Sequence, residues 1–133
     1  MMGLSIRVVG TGSVIMRIEE RVVGNVAVVK VHGDIVLNGS GPDLADKVRS
    51  LLEQDRRRIV LDLGDVRYVD SGGIGELVES FTAAQQRGGS VKLLGVTKRL
   101  NDLLVITKLL NVFECFDAED EAIDSFDRRV VAH

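Results

Sequence analysis

Residues 59–81 constrain the fold most, because they join a short apolar strand, a glycine-rich turn and an amphipathic helix. The strand is predicted at 59–63, and the loop after it ends in Asp-Ser-Gly-Gly at residues 70–73. Apolar residues at helical spacing come next, so the helix there is predicted to bury one face, formed by Ile74, Leu77, Val78 and Phe81. Ser71 is therefore predicted to be the N-cap of this helix, just beyond the end of a strand.

Strand and helix patterns alternate around this segment, after an opening hairpin with a turn at Gly24-Asn25. The predicted strands are 14–23, 26–31, 59–63, 91–94 and 112–116. The predicted helices cover about 42–54, 71–87, 100–107 and 119–129, and the first of them buries Leu44, Val48, Leu51 and Leu52. The order ββαβαβαβα predicts an α/β fold, a mixed, mostly parallel sheet with packed helices. Residues 14–130 are expected to form one domain, and residues 1–13 a leader or an extra edge strand.

Composition narrows the class of protein. The chain has 133 residues, of which 45% are hydrophobic and 28% charged, which favours a folded domain over a disordered one. A net charge of −3 gives no general attraction for nucleic acid or for an anionic membrane. The basic run at 56–58 is interpreted as a solvated turn. With no signal sequence or membrane span recognised, we expect a cytoplasmic protein.

Few residues suit enzymatic chemistry. The single cysteine, Cys115, cannot form an internal disulfide and is predicted to be a small buried thiol. His32 and His133 are the two histidines, and neither has metal-ligand spacing with other residues. A serine nucleophile elbow requires glycine two residues before the serine, where this chain has Val69. We therefore expect no metal, no cofactor and no catalytic activity.

Ser71 remains the main candidate for function, and three roles are open on position alone. A cap serine stabilises its helix by about 0.5–2 kcal/mol and needs no further function. A phosphorylated serine at a helix start would place negative charge next to free N–H groups, which favour it. The same N–H groups could also bind the phosphate of a small ligand or a nucleotide. Gly72 and Gly73 are expected to leave the loop bare, so that a kinase or partner can approach closely.

Two stretches, the strand Ile-Val-Leu-Asp-Leu at 59–63 and Tyr-Val-Asp-Ser-Gly-Gly-Ile-Gly at 68–75, resemble the signature of the STAS domain. The likeness is specifically to the anti-anti-sigma factors, also called anti-sigma factor antagonists, and it extends from about Met16 to Phe126. The resemblance implies a regulatory binding module of the bacterial partner-switching type. Its unphosphorylated form would bind an anti-sigma factor serine kinase and free the sigma factor. Phosphorylation at Ser71 would end that binding, and a serine phosphatase would reset the protein.

The resemblance also implies a partner-binding surface, formed by Asp34, Asp70, Ser71, Gly72, Gly73 and Ile74. Two positions differ from the family pattern: Gly72 replaces a second Ser or Thr, and Val36 replaces a second carboxylate in the loop at 33–42. An antagonist is expected to be a monomer or weak homodimer that binds neither nucleic acid nor membrane. The alternative is a STAS module that serves as a stressosome-like scaffold or as a subunit of a lipid-transport complex.

Overall fold

The computed structural model describes residues 4–9, 16–36 and 44–127, and for residues 4–9 and Met16 it describes the backbone alone. Six strands and four helices lie within these residues. The strands are β1 (Leu4–Val9), β2 (Met16–Val23), β3 (Val26–Ile35), β4 (Arg58–Val69), β5 (Ser90–Leu94) and β6 (Cys115–Phe116). The helices are α1 (Leu44–Glu53), α2 (Ser71–Gln86), α3 (Lys98–Ile106) and α4 (Glu119–Ser125).

The six strands form one sheet whose spatial order is the order of the sequence, from β1 to β6. The pairs β1–β2 and β2–β3 are antiparallel, and the three pairs from β3 to β6 are parallel. The mixed, mostly parallel sheet is thus confirmed, as is the hairpin turn at Gly24-Asn25, where Gly24 has a φ of +61°. Within residues 1–13, β1 forms the outer edge of the sheet beside β2.

Strand β4 is twelve residues long, so the predicted loop between residue 63 and Asp70 is wrong. Beyond Asp62 the strand has passed the end of β5 and pairs with β3 alone. Two register shifts give β4 one extra residue each against the ten-residue β3. Because each bulge disturbs the alternation of inward and outward residues, the buried positions Leu63, Val66 and Val69 are three apart rather than two. Because of this spacing, the sequence pattern does not predict the second half of the strand.

The two faces of the sheet pack against different helices. Alternate residues of β3 divide between them: Ala27 and Val29 belong to the larger core, and Val26 and Val28 to the smaller. The larger core includes buried residues of α1, α2 and α3, among them the predicted Leu44, Val48, Leu51, Leu52, Ile74 and Leu77. Val78 and Phe81 are only partly buried at its margin. The smaller core is covered by α4 through Ala122, Ile123 and Phe126.

The first turn of α2 lies directly against the end of β3. A Cβ atom on Gly73 would come within 2.0 Å of the carbonyl oxygen of Ile35, so only glycine fits this position without a shift of the backbone. The backbone N–H of Asp70 donates to the same carbonyl over 3.4 Å. Gly73 is buried, and the expectation that it leaves the loop bare for a partner is therefore wrong. It serves close packing between the helix and the sheet.

A buried carboxylate ties α1 to α2. Glu76 is only 5% exposed, and its Oε1 accepts a hydrogen bond of 3.0 Å from the backbone N–H of Ala45. Ala45 is in the first turn of α1, where backbone N–H groups lack partners within the helix and favour a negative charge. Glu76 thus fixes the start of α1 relative to the helix that begins at Ser71. The sequence also predicts a cap of α1 at Ser40 or Gly41, with Pro42 in the first turn, and these residues lie outside the described part of the chain.

Two predictions near the C-terminus are corrected. The last strand comprises only Cys115 and Phe116, because residues 112–114 do not pair as a strand. Cys115 is exposed rather than buried. The pKa of its thiol is nevertheless raised, first by partial desolvation and then by the negative charge of Asp117. A thiol with a raised pKa is largely protonated near neutral pH, which makes it a poor nucleophile.

We expect replacement of Glu76 by alanine to lower the free energy of unfolding by about 1–3 kcal/mol, because the N–H of Ala45 loses its buried acceptor. Glu76→Gln keeps an acceptor oxygen and should cost less. Glu79→Ala is the matched control on the same helix, since Glu79 is exposed and its ion pair with Arg49 is worth at most about 1 kcal/mol. Urea denaturation measures all three. Equal losses for Glu76→Ala and Glu79→Ala would contradict the assignment.

Gly73→Ala should destabilise the domain by about 1–3 kcal/mol or more, because the new methyl group overlaps backbone atoms of Ile35 that cannot turn aside. Gly75 lies two positions further along the same helix, and a Cβ there would meet no atom within 4 Å. Gly75→Ala should therefore stabilise α2, by up to about 1 kcal/mol. Thermal and urea unfolding of the two variants should give opposite signs. If Gly73→Ala left the free energy of unfolding unchanged, the helix start would not be held by this contact.

Candidate functional site

The start of α2 is set by Asp70, which corrects the predicted role of Ser71. Asp70 has extended backbone angles, φ −96° and ψ −175°, and its Oδ1 accepts a hydrogen bond of 2.7 Å from the N–H of Gly73. This is the geometry of an N-cap residue. Ser71 is consequently the first residue of the helix and not its cap. Aspartate and serine cap helices about equally well, so sequence alone could not choose between neighbours.

The residues of the predicted partner-binding surface differ in how far solvent reaches them. Ser71 is exposed, Asp70 and Gly72 are half-buried, and Gly73 and Ile74 are buried. Because Asp70 makes the capping hydrogen bond, the side chain of Ser71 is not needed to begin the helix. Within the segment 70–74, Ser71 is thus the residue most accessible to another macromolecule. The buried Gly73 and Ile74 pack against the core and so fix the position of the first turn of α2.

Asp34 is part of β3 and not of a loop, so the predicted start of the loop at residue 33 is wrong. In the register of the parallel strands it is opposite Tyr68, and its carboxylate lies 3.6 Å from the guanidinium of Arg67. The next residue is Ile35, whose carbonyl contacts the first turn of α2. The structure therefore brings Asp34 and the segment 70–74 to the same end of the sheet. Val36 is half-buried, and residues 37–43 are outside the described part of the chain.

A groove of about 1030 Å³ opens between the start of α2 and the helix α3. The end of β4 and the first turn of α2 form one wall, and α3 forms the other. Apolar, basic and acidic side chains share this lining. The lining residues are Tyr68, Val69, Asp70, Ser71, Ile74, Lys98, Arg99, Asp102, Leu103 and Thr107. Sequence reasoning identified the first wall and missed the second, which no motif marks.

Tyr68 contributes an exposed aromatic ring to the lining of this groove. It is 49% exposed, a large fraction for an aromatic side chain. Val105 and Ile106 at the end of α3 are exposed as well, at 52% and 74%. An exposed aromatic side chain that lines a groove is typical of surfaces that bind other proteins.

The one described histidine, His32, lies beside two carboxylates of neighbouring strands. His32 Nδ1 is 3.0 Å from Asp65 Oδ2, and Nε2 is 3.4 Å from Glu19 Oε1. Both ring nitrogens therefore face carboxylates of neighbouring strands and not the serine. Among residues 16–36 and 44–127, no group of three or more His, Cys, Asp or Glu side chains is arranged to hold a metal ion. None of the described helices combines the length and the apolarity needed to cross a bilayer.

Comparison with known proteins places this geometry in a family. A family model for the STAS domain matches residues 17–122. A Listeria monocytogenes protein named anti-sigma-B factor antagonist is 40% identical over 95 residues, covering 68% of this chain and 83% of the relative. The Bacillus subtilis protein of the same name is 35% identical over 97 residues, covering 68% of this chain and 88% of the relative.

A solved structure shares the architecture. The crystal structure of an anti-sigma factor antagonist from Mycobacterium paratuberculosis aligns with a TM-score of 0.70, covering 83% of this chain and 92% of that chain. The sequence identity is 17%, so this likeness concerns the fold alone. The family match and the two relatives agree with the strand–turn–helix signature around Ser71. The chain therefore belongs to the STAS-domain family.

Proposed function

We propose that this protein is an anti-sigma factor antagonist in a bacterial partner-switching pathway of the cytoplasm. Its unphosphorylated form binds an anti-sigma factor and so releases the sigma factor, and phosphorylation at Ser71 abolishes this binding. One observation carries the proposal: Ser71 is exposed at the first position of α2, directly after Asp70. The names of the relatives, anti-sigma-B factor antagonists, support the same role.

In this proposal Ser71 is a substrate and not a catalyst. The anti-sigma factor is itself a serine kinase and transfers the γ-phosphoryl group of ATP to Ser71 Oγ. The bond between the γ-phosphorus and the ADP oxygen breaks, the new Oγ–P bond forms, and the hydroxyl proton is released. A serine phosphatase later hydrolyses the ester with water and restores the hydroxyl. The antagonist supplies an accessible acceptor, which the exposure of Ser71 provides.

Charge explains why the modification would end binding. A phosphoserine adds about −1.5 to −2 charges near neutral pH, next to the carboxylate of Asp70. A partner that packs on the start of α2 would have to desolvate both groups or oppose them with its own cations. A loss of only about 1.4 kcal/mol already weakens binding tenfold. Gly72 cannot accept phosphate, so Ser71 is the one hydroxyl in the segment 70–75.

The proposed docking surface combines the start of α2 with the end of β3. Asp34, Ser71 and Gly72 would contact the partner directly, because their side chains or backbone reach solvent. The half-buried Asp70 would contact the partner at the edge of this surface. The buried Gly73 and Ile74 keep the helix start in position. The carboxylate of Asp34 pairs with Arg67, which is 75% exposed, so a partner can displace that pair at little cost.

We expect incubation with the anti-sigma factor kinase and ATP to add one phosphate, located on Ser71 by tandem mass spectrometry. Ser71→Ala should remain unmodified. Ser90→Ala is the control, because Ser90 is an exposed serine at the other end of the sheet and should not alter the reaction. Phosphate on another residue, or none on the unaltered protein, would refute the role of Ser71. A stable oligomer, or co-purification with membrane proteins, would favour the scaffold or transport-subunit alternative.

Asp34→Ala should weaken binding of the anti-sigma factor about tenfold if the end of β3 belongs to the docking surface. Arg67→Gln is the matched control: it removes the ion pair but leaves the carboxylate of Asp34 free for the partner. Isothermal titration calorimetry measures both. If Asp34→Ala binds as tightly as the unaltered protein, this end of β3 is only a connection between secondary-structure elements.

A further inference from the structure

The helix start next to Ser71 already holds an anion. The N–H of Gly73 donates to Asp70 Oδ1 over 2.7 Å, and the N–H of Ile74 donates to the backbone carbonyl of Asp70 over 2.9 Å. A phosphate on Ser71 would thus find the inner N–H groups of the first turn occupied, and would lie beside a carboxylate that repels it. The helix N-terminus alone does not balance the charge of the modification. Any cation of the protein that pairs with the phosphate therefore lies in another part of the molecule.

The opposite wall of the groove supplies two cations. Lys98 and Arg99 line the same groove as Ser71, on the wall formed by α3. The ammonium of Lys98 is 3.3 Å from Asp102, but the side chains are 90% and 57% exposed, and such an exposed pair is easily exchanged for another partner. Arg99 forms no ion pair with any residue in the described ranges. Its guanidinium is therefore free to turn towards a new anion.

The position of these two cations in α3 is unusual for a helix. Lys98 and Arg99 are its first two residues, after the cap Thr97, and its first turn contains no acidic residue. The positive end of a helix dipole disfavours cations and favours carboxylates there. A sequence that breaks this local rule commonly does so for function. Since α2 and α3 come after the carboxyl ends of neighbouring parallel strands, both helix starts and both cations surround one groove.

We propose that a phosphate on Ser71 is bound in cis by Lys98 and Arg99 from the opposite wall of this groove. The inference rests on the proposed modification of Ser71 and concerns the conformation of the modified protein. The phosphate and the two side chains then bridge the walls and cover the apolar residues Ile74 and Leu103 between them. Phosphorylation in this way closes the groove beside Ser71 as well as adding charge.

The test uses protein in which phosphoserine is installed at position 71 during synthesis, so that neither a kinase nor a partner is needed. The second ionisation of the phosphate is monitored by ³¹P NMR as a function of pH. Nearby cations favour the dianion and lower its pKa, so Lys98→Gln and Arg99→Gln should each raise the pKa of the Ser71 phosphate by about 0.5. The double variant should raise it further. Asp70→Asn keeps the cap and removes the repelling charge, and should lower it.

Arg87→Gln is the control, because Arg87 is an exposed arginine at the far end of α2 and should leave the phosphate unaffected. Circular dichroism melting checks that every variant is folded. The proposal is overturned if the double variant titrates like the Arg87→Gln protein. That result would leave phosphorylation by the kinase untouched, whereas a kinase that ignores Ser71 would refute the proposed function without changing the titration.

Discussion

The contact between Gly73 and the carbonyl of Ile35 is the constraint on which the site depends. With no room for a Cβ atom, the first turn of α2 lies directly on the end of β3. This contact puts Asp34, one residue before Ile35, at the same end of the sheet as Asp70 and Ser71. The side chain of Ser71 is not needed to cap the helix, because the neighbouring Asp70 does so. The buried Glu76 extends the arrangement to α1 through the N–H of Ala45. The exposed hydroxyl is thus held by a rigid first turn.

The groove beside Ser71 depends on the length of β4. Because this strand continues past the end of β5, its last residues pair with β3 on one side and stand beside α3, instead of β5, on the other. The two bulges turn Val66 and Val69 inward and leave Tyr68 about half-exposed at the mouth of the groove. Bulges at such places commonly re-aim side chains near functional sites.

Much of this architecture could be predicted from the sequence, and the failures have physical causes. The Gly24-Asn25 turn predicts the opening hairpin, the alternation of strands and helices predicts the parallel order, and apolar spacing predicts the buried face of α1. The extension of β4 was missed because its bulges replace the period of two by spacings of three. The cap was placed one residue late because aspartate and serine suit an N-cap equally. Cys115 was expected to be buried from its aromatic neighbours, yet the short β6 leaves it at the surface. The second wall of the groove was invisible because α3 carries no motif that links it to Ser71.

The most direct test of the proposed switch at Ser71 is the affinity of one anti-sigma factor for two forms of the unaltered chain. Isothermal titration calorimetry would compare the unphosphorylated protein with protein that is fully phosphorylated on Ser71, in the same buffer. We expect phosphorylation to raise the dissociation constant at least tenfold, which corresponds to about 1.4 kcal/mol. Equal dissociation constants for the two forms would contradict a switch at this serine.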